Sequence, residues 1–504
     1  MMDYHLTSLL IILALACIYV LISIFKTLKS SKYPPGPRPF PIIGNILGIG
    51  NQPHQALAKL SQIYGPIMSL KLGNTTTIVI SSPQLAKEVL HKNDNIFSSR
   101  TFPDSVRALD HHTLSITWLP ALAQWKTLRR ICATKIFSSQ KLDSTQALRQ
   151  RSVQALLDYV EESSNKGEAL NIGEIVLITL LNSVSNTLFS MDLAHYTSDK
   201  SQELKDIIWG IMEEAGKPNI VDFFPILRLL DPQGARSRMD GYFRKLILFF
   251  DGLIEERLRL RALKNESKTS NDVLDSVLEL MIEENSQVTR PHVSHLFVDL
   301  LTGATDTSSI TVEWAMTELL HNPEKLGKVK KEFQHILDKG EHVEESHISK
   351  FPYLQAVIKE TFRLHPPAPL LVPHKSDVDA EIGGFMVPKR AKIMVNVWAM
   401  GRDSSIWTNP NQFLPERFLD SDTNFKGQHF ELIPFGAGRR ICPGLPLAYR
   451  TVHVILASLL HNYDWKLADG KKPHDTNMSE IFGLTLRKAQ PLRVIPILSS
   501  RCEK

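Results

Sequence analysis

Apolar and polar residues follow one another along most of this chain with the spacing of amphipathic helices. Short runs rich in β-branched residues, such as 75–80 and 393–397, instead have the pattern of strands. Two long apolar runs, 296–320 and 445–460, each predict a buried helix. No repeat and no further boundary is visible beyond position 45, so we expect one mainly α-helical domain with small β-sheets over residues 46–504.

The first hydrophobic run, near the N-terminus, has the pattern of a membrane-spanning helix and not that of an amphipathic one. Residues 8–25 are uncharged and almost wholly apolar. At about 1.5 Å per residue, a helix of this length spans roughly 27 Å, close to the thickness of a bilayer's hydrocarbon core. A cleaved signal peptide is the competing interpretation, but Asp3 precedes the run and lysines follow it, which is the reverse of a signal peptide. The positive-inside rule then predicts a single-pass anchor at residues 1–30, with the rest of the chain in the cytosol.

Residues 31–45 contain closely spaced prolines and cannot form a helix or a central strand. We expect a stiff, extended hinge between the membrane and the globular domain.

The composition of the chain argues against several classes of protein. The formal charge of +5 is small for 504 residues and is dispersed, so the sequence does not indicate a nucleic-acid-binding protein. The four cysteines have no CxxC spacing, and neither a disulfide framework nor a zinc module is indicated.

One of these cysteines stands in a distinctive segment, residues 435–444, which reads Phe-Gly-Ala-Gly-Arg-Arg-Ile-Cys-Pro-Gly. The glycines predict a sharp turn, and we expect Cys442 at the N-cap of the following helix with Pro443 at its first position. A helix N-terminus favours a thiolate. One cysteine cannot complete a zinc site, whereas one axial thiolate is what a haem iron needs to cleave an O–O bond.

This segment resembles the haem-binding signature of the cytochrome P-450 family, Phe-x-x-Gly-x-Arg-x-Cys-x-Gly. The resemblance implies the cytochrome P-450 fold and haem b, with Cys442 as the axial ligand of the iron. It also implies haem contacts from Phe435, Gly436, Arg440 and Gly444.

Two further segments resemble haem-propionate sites of the family. Trp125 and Arg129 match its Trp-x-x-x-Arg helix, and the basic residues around them suggest a docking face for an acidic electron donor. His374 stands where many relatives have a propionate-binding arginine. A solvated loop histidine is the alternative interpretation of His374.

Small residues and hydroxyls interrupt the long apolar run at residues 302–307, and we expect them to weaken the helix there and make room for a ligand. Beside the haem signature this stretch resembles the family's oxygen-activation motif. The resemblance implies that Asp306 and Thr307 deliver protons for the cleavage of dioxygen. Ala304 departs from the motif, in which glycine is usual, and its methyl group is expected to narrow the groove.

Glu360 and Arg363 lie three residues apart among apolar neighbours, which predicts a buried pair. The family pattern adds the arginine of Pro-Glu-Arg-Phe, here Arg417. We assign these three residues a structural role in holding the haem-binding core.

The resemblance also implies a substrate pocket that carries mostly apolar side chains. Asp110, His111 and His112 are exceptions, explained either by an outward-facing loop or by contact with a polar substrate. The predicted pocket residues are Trp118, Leu300, Gly303, Ala304, Ala368, Leu371, Phe482 and Leu484.

Short segments, among them 216–219 and 231–234, look like the plant subgroup that contains geraniol 8-hydroxylase. We therefore expect a monooxygenase of the endoplasmic reticulum that uses O2 and takes electrons from NADPH through a separate reductase. We expect the substrate to be a terpenoid such as geraniol; a diterpenoid or tyrosine is the alternative. A haem-thiolate isomerase would not need the Asp306–Thr307 pair, and a haem sensor would need neither that pair nor a docking face.

Overall fold

The computed structural model describes residues 32–263, 272–282, 287–338 and 340–498. The predicted membrane anchor lies outside the described residues. The polar stretch 261–272 predicts a surface loop between two helices. In the structure the preceding helix continues to Leu263, so such a loop does not begin at Arg261.

Helices dominate the described part of the chain, as the hydrophobic spacing predicts. They are α1 (Pro53–Tyr64), α2 (Pro83–Lys87), α3 (Asp94–Phe97), α4 (Ala123–Ile131), α5 (Ser139–Ser144), α6 (Gln146–Lys166), α7 (Ile172–Phe189), α8 (Asp199–Gly216), α9 (Ile220–Phe223), α10 (Ala235–Leu263), α11 (Val273–Ile282), α12 (Arg290–His321), α13 (Pro323–Ile336), α14 (Pro352–Leu364), α15 (Val397–Met400) and α16 (Leu445–Asn462).

The strands are short and form four small sheets in the described residues. They are β1 (Ile67–Leu72), β2 (Thr75–Ile80), β3 (Ser99–Arg100), β4 (Leu170–Asn171), β5 (His374–Lys375), β6 (Ala380–Ile382), β7 (Phe385–Val387), β8 (Lys392–Val395), β9 (Tyr463–Leu467), β10 (Glu480–Phe482), β11 (Leu486–Lys488) and β12 (Arg493–Leu498). The largest sheet has the order β1-β2-β8-β5-β3, and its β2 and β8 are parallel.

Helix α12 is the axis of the fold. Helices α7, α14 and α16 pack against it, and most of its side chains are buried. Contrary to the sequence-based expectation, residues 302–307 do not interrupt it. The hydroxyls of Thr302, Thr305 and Thr307 each donate to the carbonyl four residues earlier at 2.7–2.8 Å, so these side chains are satisfied within a continuous helix.

Glu360, Arg363 and Arg417 come together in the structure, and the predicted Glu360–Arg363 pair is buried. Glu360 and Arg363 are fully buried and form a bidentate pair with two 2.7 Å contacts. Arg417 donates to the same carboxylate at 3.1 Å, and Arg363 also donates to the carbonyl of Gly401. Because each buried charge has a partner, the cluster fixes α14 to the 408–418 segment without leaving an isolated ion in the core.

Within the described residues, Ile172–Phe189 alone has the length and hydropathy of a membrane-spanning helix. It is α7, and 83% of that window is buried in the protein, which is how a central core helix behaves.

Candidate functional site

The cysteine loop, residues 435–444, makes close contacts with itself and with its neighbours. Gly438 has φ +65°, and a Cβ there would lie 1.8 Å from the carbonyl oxygen of Leu90, so a larger residue cannot fit. The backbone N–H of Cys442 donates to the carbonyl of Phe435 at 2.9 Å and closes the loop. Phe435 packs against Phe362 of α14, with ring centroids 5.3 Å apart.

Helix α16 begins later than we expected. Its N-cap is Gly444, so Cys442 precedes the cap by two residues and Pro443 is not helical. The thiol nevertheless lies near the helix N-terminus, because the backbone N–H groups of Gly444 and Leu445 act to lower the pKa of Cys442. Burial raises the pKa of Cys442, while these two N–H groups and the nearby Arg129 oppose that rise.

The second cysteine in the described part of the chain, Cys132, lies close enough to interact electrostatically with Cys442 but has a different environment. It is fully buried, and desolvation raises its pKa to about 12. Cys442 is half-buried and opens into a groove. Of the two thiols, only Cys442 is therefore placed to bind a metal as a thiolate.

Helix α12 has one open side. Gly303 is exposed, and Ala304 and Thr307 are half-buried, although the helix around them is embedded in the core. A Cβ added to Gly303 would meet no atom within 4 Å. Positions i, i+1 and i+4 lie close together on one side of a helix, so these residues border an internal space.

Asp306 occupies the closed side of the same helix. Its Oδ2 accepts a 2.6 Å hydrogen bond from the hydroxyl of Thr485, while its Oδ1 is buried and has no partner in the described residues. Burial raises the pKa of Asp306. Asp306 and Thr307 thus form no direct pair: Thr307 borders the open space, and Asp306 is held by Thr485, a residue that sequence reasoning missed.

Cationic side chains converge beside the cysteine loop. The Arg440 guanidinium lies over the Trp125 ring at 4.4 Å and donates to the carbonyls of Ser98 and Leu119. Trp125 donates its indole N–H to the Ile116 carbonyl at 3.0 Å. His374 is buried rather than solvated, and its Nδ1 lies 2.7 Å from the Phe97 carbonyl oxygen.

Arg100 is a further member of this cluster that the sequence motifs did not indicate. It pairs with His374 in the β3–β5 register and donates to the Val372 carbonyl. Its Nε is buried without a partner in the described part of the chain. The pKa of Arg100 is lowered by burial and by the charge of Arg440. Among the described residues, neither of these two cations has an ion pair with a carboxylate.

These features fit a haem. The open side of α12 offers space, Cys442 offers one soft ligand, and Arg100 and Arg440 offer positive charge for the propionates. Arg129 is another cation near Cys442, and no hydrogen bond or ion pair of its guanidinium is seen in the described residues. Gly436, with φ +70°, has no atom closer than 4.0 Å to an added Cβ, which leaves room for a flat group against the loop.

A cavity of about 190 Å³ lies next to this space. Its wall contains Leu371 but no residue of the cysteine loop. The Cδ1 of Leu371 is 4.0 Å from the Cβ position of Gly436, so Leu371 lies between the cavity and the loop. Leu300, Gly303, Ala304 and Ala368 are not part of this wall. Four predicted pocket residues do line it: Trp118, Leu371, Phe482 and Leu484.

The three polar residues of the 110–112 segment lie in different environments. Asp110 is exposed, and His111 is buried in contact with Asp299 and His295 of α12, at 3.2 and 2.7 Å. His112 packs on Phe102 with centroids 4.9 Å apart. None of the three belongs to the cavity wall, which removes the main reason for expecting a polar substrate contact there.

The agreement of these residues with a cysteine-ligated haem defines a haem-thiolate oxidoreductase. Residues 34–494 match the family model for cytochrome P450, and the chain belongs to that family. It is 50% identical to cytochrome P450 76T24 of Catharanthus roseus, with 98% of this chain and 99% of the relative covered. It is also 48% identical to geraniol 8-hydroxylase of the same plant, with 98% of this chain and 99% of the relative covered. It is 44% identical to ferruginol synthase of Salvia miltiorrhiza, with 97% of this chain and 98% of the relative covered. The protein is thus a plant cytochrome P450 monooxygenase that acts on a small substrate with O2.

Proposed function

We propose that this enzyme hydroxylates a terpenoid alcohol such as geraniol. The observation that carries this proposal is the apolar part of the cavity beside the cysteine loop, formed by Trp118, Leu371, Phe482 and Leu484. Such a wall binds hydrocarbon through burial of apolar area, at roughly 25 cal/mol per Å². Likeness to geraniol 8-hydroxylase over nearly the whole chain supports the same substrate class.

The protein's own contribution is orientation and proton transfer. Bound haem, ligated by Cys442, would supply the oxygen chemistry. The apolar wall excludes water and holds the substrate carbon toward the open side of α12. Thr307, which borders that space, would deliver a proton from its hydroxyl, and Asp306 would replenish it through water at its unpartnered Oδ1.

We also propose that electrons come from NADPH through a separate reductase that docks near Cys442. The thiol opens into a groove of about 990 Å³ whose wall includes Arg129, Lys359 and Lys426. Lys126, Arg130 and Lys135 on and beside α4 are exposed and add positive charge. An acidic partner would be attracted to this face, with an on-rate that falls as salt rises.

We further propose that the enzyme lies on the cytosolic face of the endoplasmic reticulum. Ile226, Leu229 and Leu230 are 73–92% exposed, and Ile42 and Leu47 are each 74% exposed. Backbone hydrogen bonds of the β1–β2 turn connect the two segments, from Gly73 to Ile43 and from Asn74 to Phe223. Contiguous exposed apolar side chains of this kind suit contact with lipid next to an N-terminal anchor.

Product analysis tests the substrate proposal. The full chain, expressed with a plant reductase and NADPH, is offered geraniol, an abietane diterpene and tyrosine in parallel. We expect hydroxylated geraniol as the dominant product. A dominant diterpenoid product would move the assignment to larger terpenoids, and hydroxylation of tyrosine would contradict the terpenoid proposal.

A further inference from the structure

The cavity wall contains a lysine without a direct anionic partner. Lys392, the first residue of β8, lines the same cavity as Leu371 and Phe482. Its amine forms no ion pair or hydrogen bond among the described residues. The other cations of the wall are paired: Arg107 and Arg228 contact Asp104 at 3.3 and 2.6 Å, and Lys217 contacts Glu213 at 3.6 Å.

Two polar residues, Thr77 and Asp222, share the cavity wall with Lys392 but form no hydrogen bond with its amine. Thr77 stands opposite Lys392 in the parallel β2–β8 register, and its buried hydroxyl has no hydrogen-bond partner in the described part of the chain. The Asp222 carboxylate also belongs to the wall, but its Oδ1 accepts from the backbone N–H of Asp104 at 2.6 Å. Asp222 therefore interacts with Lys392 through its charge and not through a hydrogen bond. Burial lowers the pKa of Lys392.

A desolvated ammonium group requires an acceptor to replace its lost water. No described side chain accepts a hydrogen bond from Lys392, while the cavity gives a ligand access to it. The cavity is therefore amphiphilic: one part, with Thr77, Asp222 and Lys392, is polar, and another, with Leu371 next to the cysteine loop, is apolar.

We propose that Lys392 binds an oxygen atom at one end of an otherwise apolar substrate, either a hydroxyl or a carboxylate. The ammonium would donate a charge-assisted hydrogen bond to that oxygen, and the hydrocarbon end would extend along Leu371 toward Gly436. This inference deepens the proposed function and rests on it. It adds that the enzyme selects an oxygenated substrate over the corresponding hydrocarbon and holds the oxygen away from the site of oxidation.

Equilibrium dialysis of the haem-loaded full chain tests this binding site without reductase or NADPH. The probes are geraniol, geranic acid and the hydrocarbon of the same carbon skeleton. The variants are Lys392→Met, which removes the ammonium group but keeps a long unbranched side chain, and Lys389→Met as a matched control, because Lys389 is exposed and lies outside the cavity wall.

The wild type should bind at least one oxygenated probe about tenfold more tightly than the hydrocarbon, as expected of a charge-assisted hydrogen bond. Lys392→Met should lose that preference and keep its Kd for the hydrocarbon, while Lys389→Met should behave as the wild type. Loss confined to geraniol supports an alcohol ligand, and loss confined to geranic acid supports a carboxylate. An unchanged preference in Lys392→Met, or none in the wild type, overturns the inference. Failure of turnover with normal binding would instead count against the proposed function.

Discussion

The cysteine loop and the cavity wall lie side by side but are built in opposite ways. The loop is one segment of ten residues, 435–444, whose turn is fixed by Gly438 and by the Cys442–Phe435 hydrogen bond. The cavity wall collects side chains from positions as distant as Ile49 and Leu484. The difference teaches that the identity of the cofactor is determined locally, whereas the choice of substrate depends on the whole fold.

The largest expected effect comes from removing the ligand within the loop. Cys442→Ala should abolish the haem-thiolate spectrum with carbon monoxide and all product formation. Cys132→Ala removes the other described thiol at a small packing cost and should retain both, because Cys132 is fully buried with a pKa of about 12. A normal spectrum in Cys442→Ala would contradict the ligand assignment.

Disrupting the Glu360–Arg363–Arg417 cluster should have the next largest effect. Glu360→Gln leaves Arg363 and Arg417 without their shared carboxylate, and breaking a buried pair in this way costs about 3–5 kcal/mol. We expect loss of haem retention and a much lower thermal midpoint. The matched variant Glu162→Gln removes only an exposed pair with Lys166 and should leave the midpoint unchanged. Equal effects of the two changes would show that the cluster has no special structural role.

The pH dependence of stability tests the burial of Asp222 in the cavity wall. Burial raises the pKa of Asp222 to about 6 from the ordinary 3.8. Between these two values the unfolded chain has released a proton that the folded chain keeps, so stability falls as the pH rises from about 4 to 6, by up to about 3 kcal/mol. Asp222→Asn should remove this decline in the apparent Tm. An identical pH profile in the variant would show that Asp222 is not desolvated in the folded protein.

The smallest expected effect comes from Thr307 on helix α12. Thr307→Ala should retain haem and substrate binding but lower the product formed per NADPH severalfold, because a positioned proton donor contributes typically about 10²–10⁴-fold and water can replace part of it. Thr305→Ala deletes an equivalent hydroxyl, which bonds to its own helix on the buried side, and should keep the coupling of the wild type. Equal coupling in both variants would remove Thr307 from the mechanism.

The two regions also differ in how far they can be predicted from the sequence. The loop, the long helices and the Glu360–Arg363 pair follow from short-range spacing, because their partners lie within one segment. Arg417 was assigned to the cluster through the resemblance to the family's pattern. Arg100, Thr485 and Lys392 could not be predicted in either way, since each acquires its environment from a strand or helix remote in sequence. Two local predictions were wrong. Cys442 is not the N-cap of α16, because the helix begins after Gly444. Residues 302–307 do not weaken α12, because their hydroxyls bond to carbonyls of the same helix.

The central claim, that the loop and cavity together insert an oxygen atom into an apolar substrate, is tested most directly with ¹⁸O2. Full-length enzyme, reductase, NADPH and geraniol are incubated under labelled oxygen, and the product is examined by mass spectrometry. The account predicts one ¹⁸O atom per product molecule, on a carbon remote from the original hydroxyl, and no product when NADPH or the reductase is omitted. A geraniol product that carries no label, or one that forms without NADPH, would contradict it.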